Sequence, residues 1–367
     1  MQPLSSVKIG KYTLKYPIIQ GGMGVGISWS SLAGHVSLEG GLGVVSAIGT
    51  GYYKNRQFVK KFSYGRPAEA EEFYSRDALF EIMKDARAIC GDAPLAVNIL
   101  FAINDYGRVM RDACEAGADI IITGAGLPMN MPEFTADFPD VALVPIVSSP
   151  KALKLIAKRW EQRYNRTPDA VILEGPLSGG HQGFTYEQCA DPEYQLEKLI
   201  APVVAEAHKI RPDMPVFAAG GIWDHNDIQA AIALGAAGVQ LGTRFIATHE
   251  CDAPDVFKEL LINCKKEQIE LFKSPVGYPA RGIRTQLIDQ VDKRQGPPIR
   301  CVSNCVVPCH RGEEAKVVGY CIADRLSDAC EGNLETGLFF TGSNGYRIDK
   351  LLSVKALMKK LVHGEEA

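Results

Sequence analysis

The stretch Asp169-Ala-Val-Ile-Leu-Glu-Gly-Pro-Leu-Ser-Gly-Gly-His-Gln-Gly183 is the part of this chain from which the fold is most readily predicted. A short, wholly apolar segment runs directly into a glycine-rich loop that carries one histidine, His181. Segments that are apolar on both faces are typical of buried parallel strands, and catalytic residues often follow such strands. Because imidazole titrates near neutral pH, His181 is the first candidate acid or base, although a tight turn with an incidental histidine would look the same.

Seven more segments of this apolar type occur along the first two thirds of the chain. With the one above, the predicted strands are 17–20, 43–46, 95–98, 119–123, 142–147, 170–173, 216–219 and 238–241. Helical patterns between them cover 106–116, 150–163, 197–210 and 224–234. Eight strand–helix units predict an α/β fold of the (β/α)8 TIM-barrel type. An open doubly wound sheet is disfavoured, since no Gly-x-Gly-x-x-Gly opens a helix after the first strand.

The remaining segments predict additions to this barrel. Residues 52–92, after the second strand, are expected to hold inserted helices. We expect three parts: the (β/α)8 barrel over 1–250, a helical extension over 251–300 that closes it, and a Cys-rich C-terminal cap with a final helix over 301–367. The glycine-rich segment 332–345 either folds back over the barrel mouth or forms a packed loop before a helix at 348–362.

Composition excludes several classes of protein. Of 367 residues, 46% are hydrophobic and 23% are charged, and the formal net charge is −3, so no basic face for nucleic acid is indicated. No apolar run is long enough to cross a membrane, and the first residues lack the apolar core of an export signal. We therefore expect a cytoplasmic protein that acts on a small molecule, with a homodimer as one option for its assembly.

Small or polar residues follow six of the eight predicted strands, at the end of a barrel where catalysis takes place. They are Gln20-Gly-Gly-Met23, Asn98, Thr123-Gly-Ala-Gly126, Glu174 with the His181 loop, Gly220-Gly-Ile222 and Gly242-Thr243. The last two follow strands seven and eight, where barrels often bind phosphate through backbone N–H groups. The sequence therefore predicts a phosphate cradle, to which Arg244 adds a weak basic supplement; a tight turn is the simpler explanation of the glycine pair.

Seven motifs, in order along the chain, together resemble the nitronate monooxygenase (2-nitropropane dioxygenase) family, which also includes enoyl-acyl-carrier-protein reductase II. They are Gln20-Gly-Gly-Met23, Gly40-Gly-Leu-Gly43, Val97-Asn98-Ile99, Thr123-Gly124, Ser178-Gly-Gly-His-Gln-Gly183, Ala219-Gly-Gly-Ile222 and Gln240-Leu-Gly-Thr-Arg-Phe245. The resemblance covers roughly residues 8–290 and implies an FMN-binding (β/α)8 barrel, which agrees with the number of predicted strands.

The resemblance also implies roles for single positions, with His181 as the acid/base residue. The positions implied to bind FMN are Gly22 and Met23 at the flavin ring, Asn98 at the ring or ribityl chain, Glu174 near the flavin, Gly179 and Gly180 beside the isoalloxazine, Gly220, Gly221, Gly242 and Thr243 at the phosphate, and also Thr123 and Gln240. Three of these residues could have a structural role instead of binding the flavin: Met23 as a core residue, Asn98 as a helix cap, and Glu174 as part of an ion pair.

Two activities follow from the resemblance. The first is FMN-dependent oxidation of alkyl nitronates with O2, in which His181 removes the Cα proton of a neutral nitroalkane. The second is NAD(P)H-dependent reduction of an enoyl thioester, as in the enoyl-acyl-carrier-protein reductases of the family. A third class, not catalytic, is a sensory flavoprotein with the Cys-rich segment as its redox element.

The C-terminal cysteines form a separate pattern. Cys301, Cys305, Cys309 and Cys321 follow a C-x3-C-x3-C-x11-C spacing. This spacing is similar to the [4Fe–4S] run of the iron–sulfur old-yellow-enzyme flavoproteins, although it is not the same. An iron–sulfur cluster, a zinc ion held by three of these cysteines with His310, and a group of reduced thiols are the three interpretations.

Overall fold

The computed structural model describes residues 4–53, 73–299, 301 and 305–364, and its centre is one sheet of eight parallel strands. A hairpin of β1 (Val7–Ile9) and β2 (Tyr12–Leu14) precedes this sheet. The order across the sheet is β3 (Ile18–Gln20), β11 (Gly238–Leu241), β10 (Val216–Ala219), β8 (Val171–Glu174), β7 (Ala142–Val147), β6 (Ile120–Gly124), β5 (Leu95–Leu100) and β4 (Gly43–Ser46). A parallel bridge between Ile19 and Leu42, just before β4, brings the two ends together. The predicted (β/α)8 barrel, with all eight strands, is therefore confirmed.

Helices surround this barrel. They are α1 (Ser30–Leu38), α2 (Arg76–Cys90), α3 (Tyr106–Glu115), α4 (Met131–Phe134), α5 (Pro150–Tyr164), α6 (Tyr186–Ala190), α7 (Leu196–Ile210), α8 (His225–Ala233) and α9 (Thr243–Ile246). Asp224 caps α8 by accepting hydrogen bonds from the backbone N–H groups of Asn226 and Asp227 over 3.0 and 3.2 Å. Of the insertion predicted over 52–92, α2 lies within the described residues, whereas 54–72 lie outside them.

The strands are apolar on both faces because they lie between two cores. Inside the barrel, the buried side chains of the strands pack with Ile9 and Leu14 of the β1–β2 hairpin. Outside, the strands pack against the helices, for example through Leu153 of α5 and Ile200 of α7. Such two-sided burial explains why the strands appear in the sequence as continuous apolar runs rather than alternating ones.

Residues 251–300, for which the sequence predicts helices, also contain two strands. The segment holds α10 (Asp255–Ile262), β12 (Ile269–Lys273), β13 (Pro279–Ile283) and α11 (Gln286–Asp292). Strand β13 pairs on one side with β12 and on the other with β9 (Gly180–His181), the short strand of the histidine loop. The hairpin therefore fixes the backbone of that loop from outside the barrel.

The C-terminal segment folds back onto this region. It contains α12 (Glu313–Val318), α13 (Ile322–Cys330) and α14 (Val354–His363). The final helix begins at Val354 rather than at the predicted residue 348, since the side chain of Ser353 caps it by accepting from the N–H of Ala356 over 3.1 Å. No helix of the described residues is long and apolar enough to cross a membrane.

Candidate active site

A cavity of about 450 Å³ lies at the C-terminal ends of the barrel strands. The positions predicted from the sequence that line it are Gly22, Met23, Asn98, Glu174, Gly179, Gly180, His181, Gly220, Gly221, Gln240, Gly242 and Thr243. Thr123 is not among the lining residues: it is fully buried, and its hydroxyl lies 3.4 Å from that of Tyr106. Gly124, the next residue, lines the cavity in its place. The cavity has the size of sites that bind small organic molecules and cofactors.

His181 projects into this cavity from β9. Its backbone is fixed by pairing with Ala280 of β13. Its Nε2 lies 2.7 Å from Oγ of Ser274, and its ring meets the ring of Phe340 edge-on, with 5.4 Å between centroids. Burial lowers the pKa of His181 to about 4, because the enclosing protein atoms disfavour the charged imidazolium. The ring is therefore neutral at pH 7 and able to accept a proton.

Glu174 lies in the same cavity, at the end of β8 and beside Ala219 of β10. No hydrogen bond or ion pair joins its carboxyl group to another part of the described chain, so the predicted alternative of a buried ion pair is not found there. Burial raises the pKa of Glu174 to about 7, because the carboxylate loses hydration without gaining a partner. The carboxyl group is thus protonated through much of the range below neutral pH, and can then donate a hydrogen bond.

A different part of the cavity wall suits an anion. The glycines that follow β10 both have left-handed backbone, with φ of 94° at Gly220 and 89° at Gly221. A Cβ atom at Gly220 would lie 2.7 Å from the carbonyl oxygen of Gly175, so a side chain is excluded there. Gly242 and Thr243, after β11, complete this wall.

Arg244 adds a buried positive charge to the same wall. Its guanidinium lies 4.4 Å from the ring centroid of Trp223, and its Nε is buried without a hydrogen-bond partner in the described residues. Burial, followed by the nearby charge of Arg347, lowers the pKa of Arg244. A buried cation with an unpartnered N–H next to an open glycine turn is an arrangement that a phosphate group would complete.

The C-terminal segment covers this anion site. The side-chain amide of Asn344 donates to the carbonyl oxygen of Gly221 over 2.7 Å, and the N–H of Gly342 donates to the hydroxyl of Thr243 over 2.8 Å. A Cβ atom at Gly179 would lie 2.6 Å from the carbonyl carbon of Thr341. Glycine at that position therefore makes room for the C-terminal segment itself. Two alternatives were predicted for residues 332–345. The structure has the one in which this segment folds back over the cavity.

Two further residues that the sequence predicts for the site, Asn98 and Met23, are held in position by the local backbone structure. Asn98 lies inside β5, where its Nδ2 is 3.5 Å from the carbonyl oxygen of Ile122, so it is not a helix cap. The N–H of Met23 donates to the hydroxyl of Ser28 over 2.8 Å, which fixes the loop after β3 against the cavity. Both residues line the cavity, and Met23 also packs against the hydrophobic core.

The predicted metal site at Cys301, Cys305, Cys309 and Cys321 is not formed within the described residues. There, no group of three or more His, Cys, Asp or Glu side chains is arranged to hold a metal ion. Cys301 is exposed, whereas Cys309 and Cys321 belong to the hydrophobic core. Burial raises the pKa of Cys321 to about 12, so its thiol is protonated when no metal is bound. Spacing alone did not reveal this burial.

Sequence reasoning did not identify Ser274, Phe340 or Asn344. Ser274 lies in the turn between β12 and β13, and the other two in the C-terminal segment. No motif marks Ser274. For the C-terminal residues the only signal was the glycine-rich composition of residues 332–345.

A family model described as nitronate monooxygenase matches residues 5–364. A probable nitronate monooxygenase of Staphylococcus saprophyticus is 29% identical over 303 residues, which are 79% of this chain and 81% of that protein. Another, from Staphylococcus aureus strain MRSA252, is 27% identical over 300 residues, or 77% of this chain and 79% of that protein.

Two solved structures have the same fold. FabK from Thermotoga maritima superposes with a TM-score of 0.69 and 26% identity, covering 95% of this chain and 92% of that one. A nitroalkane oxidase from Streptomyces ansochromogenes superposes with a TM-score of 0.66 and 22% identity, covering 95% of each chain, which is a likeness of fold alone.

Proposed function

The chain belongs to the nitronate monooxygenase family, and from that premise we propose that it is an FMN-dependent oxidoreductase that oxidises alkyl nitronates with O2. One observation carries the proposal: a single cavity contains both a neutral imidazole, at His181, and an anion site where the buried Nε of Arg244 has no hydrogen-bond partner in the described residues. FMN, when bound, would transfer electrons from the substrate to O2. The protein has to hold the cofactor and manage the proton.

The part of the cavity wall formed by Gly220, Gly221, Gly242, Thr243 and Arg244, called here the anion wall, would hold the phosphate of FMN. Its donors are the Nε of Arg244 and the backbone and hydroxyl groups of Gly220, Gly221, Gly242 and Thr243. The residues proposed to surround the rest of the cofactor are Gly22, Met23, Asn98, Glu174, Gly179, Gly180 and Gln240. The apolar side chains of the lining would exclude water, and the few polar groups among them would orient the ring.

His181 would act on neutral nitroalkanes as a base. The substrate's Cα–H bond breaks, its proton moves to a ring nitrogen of His181, and the electron pair is delocalised onto the nitro group to give the nitronate. Since burial lowers the pKa of His181 to about 4, the imidazole is in its basic form at neutral pH. A nitronate supplied as such would need no proton transfer to the enzyme.

Anaerobic mixing of the FMN-loaded protein with propyl-2-nitronate, and separately with NADH or NADPH, tests this proposal. We expect the flavin absorbance to decrease with the nitronate alone. Rapid loss of absorbance with a pyridine nucleotide, and none with the nitronate, would instead support a reductase. If neither reagent changed the spectrum, the protein would belong to the non-catalytic class of flavoprotein.

The second candidate function is NAD(P)H-dependent reduction of an enoyl thioester. The observation that favours it is the similarity to FabK, at 26% identity over 95% of this chain. In that reaction His181 would bind the thioester carbonyl or assist protonation. The mixing experiment above separates the two candidates, because only the reductase takes its electrons from a pyridine nucleotide.

A further inference from the structure

Arg281 is a buried cation on the strand that pairs with the histidine loop, residues 175–183. It belongs to β13, where it lies opposite Gly180 of β9. Its side chain is only 7% exposed. Gly180 and His181 line the cavity, whereas Arg281 is not among the described residues that do so. Arg281 therefore contacts the loop without being part of the cavity wall.

Two carbonyl oxygens of the loop accept hydrogen bonds from this guanidinium. Nη1 of Arg281 donates to the carbonyl oxygen of Pro176 and, over 2.9 Å, to that of Ser178. Because Nη1 carries two hydrogens, this one nitrogen can hold both carbonyl groups. Both acceptors belong to the histidine loop, so Arg281 joins β13 to the part of the loop that precedes His181.

The carbonyl oxygen of Ser178 also accepts a hydrogen bond from within the loop. The side-chain amide of Gln182, which is buried, donates to it over 3.0 Å and to the carbonyl oxygen of Gly180 over 2.9 Å. The two lone pairs of the Ser178 oxygen are thus both used. Since Gln182 directly follows His181, this shared oxygen connects the backbone on the far side of the histidine to Arg281.

The charge of Arg281 has no carboxylate partner in the described part of the chain. Its hydrogen bonds go to the carbonyl oxygens of Pro176 and Ser178, and burial lowers its pKa because the enclosing protein disfavours the charged guanidinium. Hydrogen bonds from a charged donor are roughly twice as strong as those from a neutral one. A buried cation therefore holds these two carbonyl groups more firmly than a neutral side chain would.

We infer that Arg281 is a positioning residue, which fixes His181 in the cavity by holding the carbonyl oxygens of Pro176 and Ser178. The inference rests on the proposed function in taking His181 as the base. Gly179 and Gly180 directly precede His181, and glycine leaves the backbone free to adopt many conformations. Without Arg281 the imidazole would lose the fixed position from which a base removes a proton efficiently.

Hydrogen exchange tests the contact itself. Arg281→Met keeps an apolar stem but removes both donors, so in the FMN-loaded variant we expect the backbone N–H groups of residues 176–182 to exchange about fivefold faster or more. Exchange in the loop as slow as in the parent protein would overturn the inference. Arg87→Met is the matched control, because Nη1 of Arg87 likewise donates to two carbonyl oxygens, those of Gly91 and Ala93, over 3.1 and 2.8 Å. None of these three residues lines the cavity, and this variant should leave exchange in the loop unchanged.

Steady-state rates separate positioning from a general loss of structure. Arg281→Met should lower kcat on a neutral nitroalkane about tenfold or more, because a misplaced base is much less effective. Turnover of the pre-formed nitronate should change less than about twofold, since that substrate needs no base. An equal loss on both substrates would mean a merely structural role and would overturn the inference.

Arg281→Gln takes the place of Arg281→Met if the methionine variant does not fold. Its side chain is too short to reach both carbonyl oxygens from β13, so we expect the same faster exchange and the same difference between the two substrates. Exchange and turnover like those of the parent protein would overturn the inference.

His181→Ala separates this inference from the proposed function. If that variant, with FMN bound, kept full turnover of the neutral nitroalkane, His181 would not be the base and the proposed function would fail. Hydrogen exchange of the loop in Arg281→Met does not depend on that result. The contact between Arg281 and the loop is therefore tested separately from the assigned chemistry.

Discussion

Glu174 and His181 line the same cavity, yet burial moves their pKa values in opposite directions, to about 7 and about 4. Both side chains are therefore largely uncharged between these two pH values. Neither has a counter-ion in the described part of the chain, so the cause is desolvation, which penalises whichever form is charged. Between these pH values neither group adds a charge to the cavity.

The pH dependence of turnover should reflect the lowered pKa of His181. With a neutral nitroalkane and saturating O2, we expect the acid limb of kcat/KM to fall near pH 4 rather than near 6.5, since the base form is lost only below the pKa. The nitronate itself should show no such limb from His181. Steady-state rates between pH 3 and 8, on both substrates, measure this. An acid limb near pH 6.5 would contradict the prediction, because it would mean that burial does not lower the pKa of His181.

Glu174→Gln should stabilise the flavin-free protein at alkaline pH. The pKa of Glu174 is about 7 in the folded state, above the ordinary 4.5, so the unfolded chain releases this proton first as the pH rises. The free energy of unfolding therefore decreases from about pH 4.5 to 7, and glutamine removes that loss. We expect a gain of about 3 kcal/mol at pH 8 and little change at pH 4.5.

Urea denaturation of the flavin-free protein at pH 4.5 and pH 8 measures this gain. Glu161→Gln, on the exposed side of α5, is the matched control and should leave the difference between the two pH values unchanged. Equal stability of parent and Glu174→Gln at pH 8 would contradict the raised pKa.

The barrel was predictable from the sequence because its signals are local. Burial of the strands on both faces produces continuous apolar runs such as residues 170–173, and Asp224 marks the start of α8 three residues before its partner Asp227. The positions after the strands were therefore found as well. Thr123 is the exception within this group, because its side chain lies buried beside Tyr106 while the next residue lines the cavity.

The other parts of the site depend on contacts between distant residues, which local patterns do not contain. Ser274 meets His181 across 93 positions of sequence, and Asn344 meets Gly221 across 123. The burial of the C-terminal cysteines also depends on contacts between distant residues, so it could not be predicted from the sequence. Their spacing suits a metal, but it does not indicate that Cys309 and Cys321 are packed into the core.

Gly242→Leu should abolish retention of FMN. The backbone at Gly242 has φ of −105°, which other residues adopt freely, so the fold should persist. A Cβ atom there would already lie 3.3 Å from Sδ of Met23, and the rest of the leucine would fill the cavity beside the anion wall. We expect protein purified without bound flavin, measured as the ratio of absorbance at the flavin and protein maxima.

Ala205→Leu, on the exposed face of α7, adds the same side chain away from the cavity and is the control for Gly242→Leu. It should bind FMN as the parent protein does. A Gly242→Leu protein that is fully loaded with FMN would place the phosphate elsewhere.

Asn344→Ala should accelerate the release of FMN. The Asn344 amide holds the C-terminal segment to the carbonyl oxygen of Gly221 over 2.7 Å, directly above the anion wall. One such hydrogen bond contributes about 1 kcal/mol, so we expect the flavin to dissociate about two- to tenfold faster. The rise in flavin fluorescence after dilution of the loaded protein measures this rate.

The control for Asn344→Ala is Asn263→Ala; the Asn263 amide, just after α10, donates to the backbone carbonyl oxygen of Glu259 over 2.8 Å on an exposed surface. It should leave the rate of flavin release unchanged, which separates loss of the covering contact from loss of an asparagine in general. If Asn344→Ala released FMN no faster than the parent protein, the C-terminal segment would not retain the cofactor. Its contact with Gly221 would then serve only to order the segment that carries Phe340 to the side of His181.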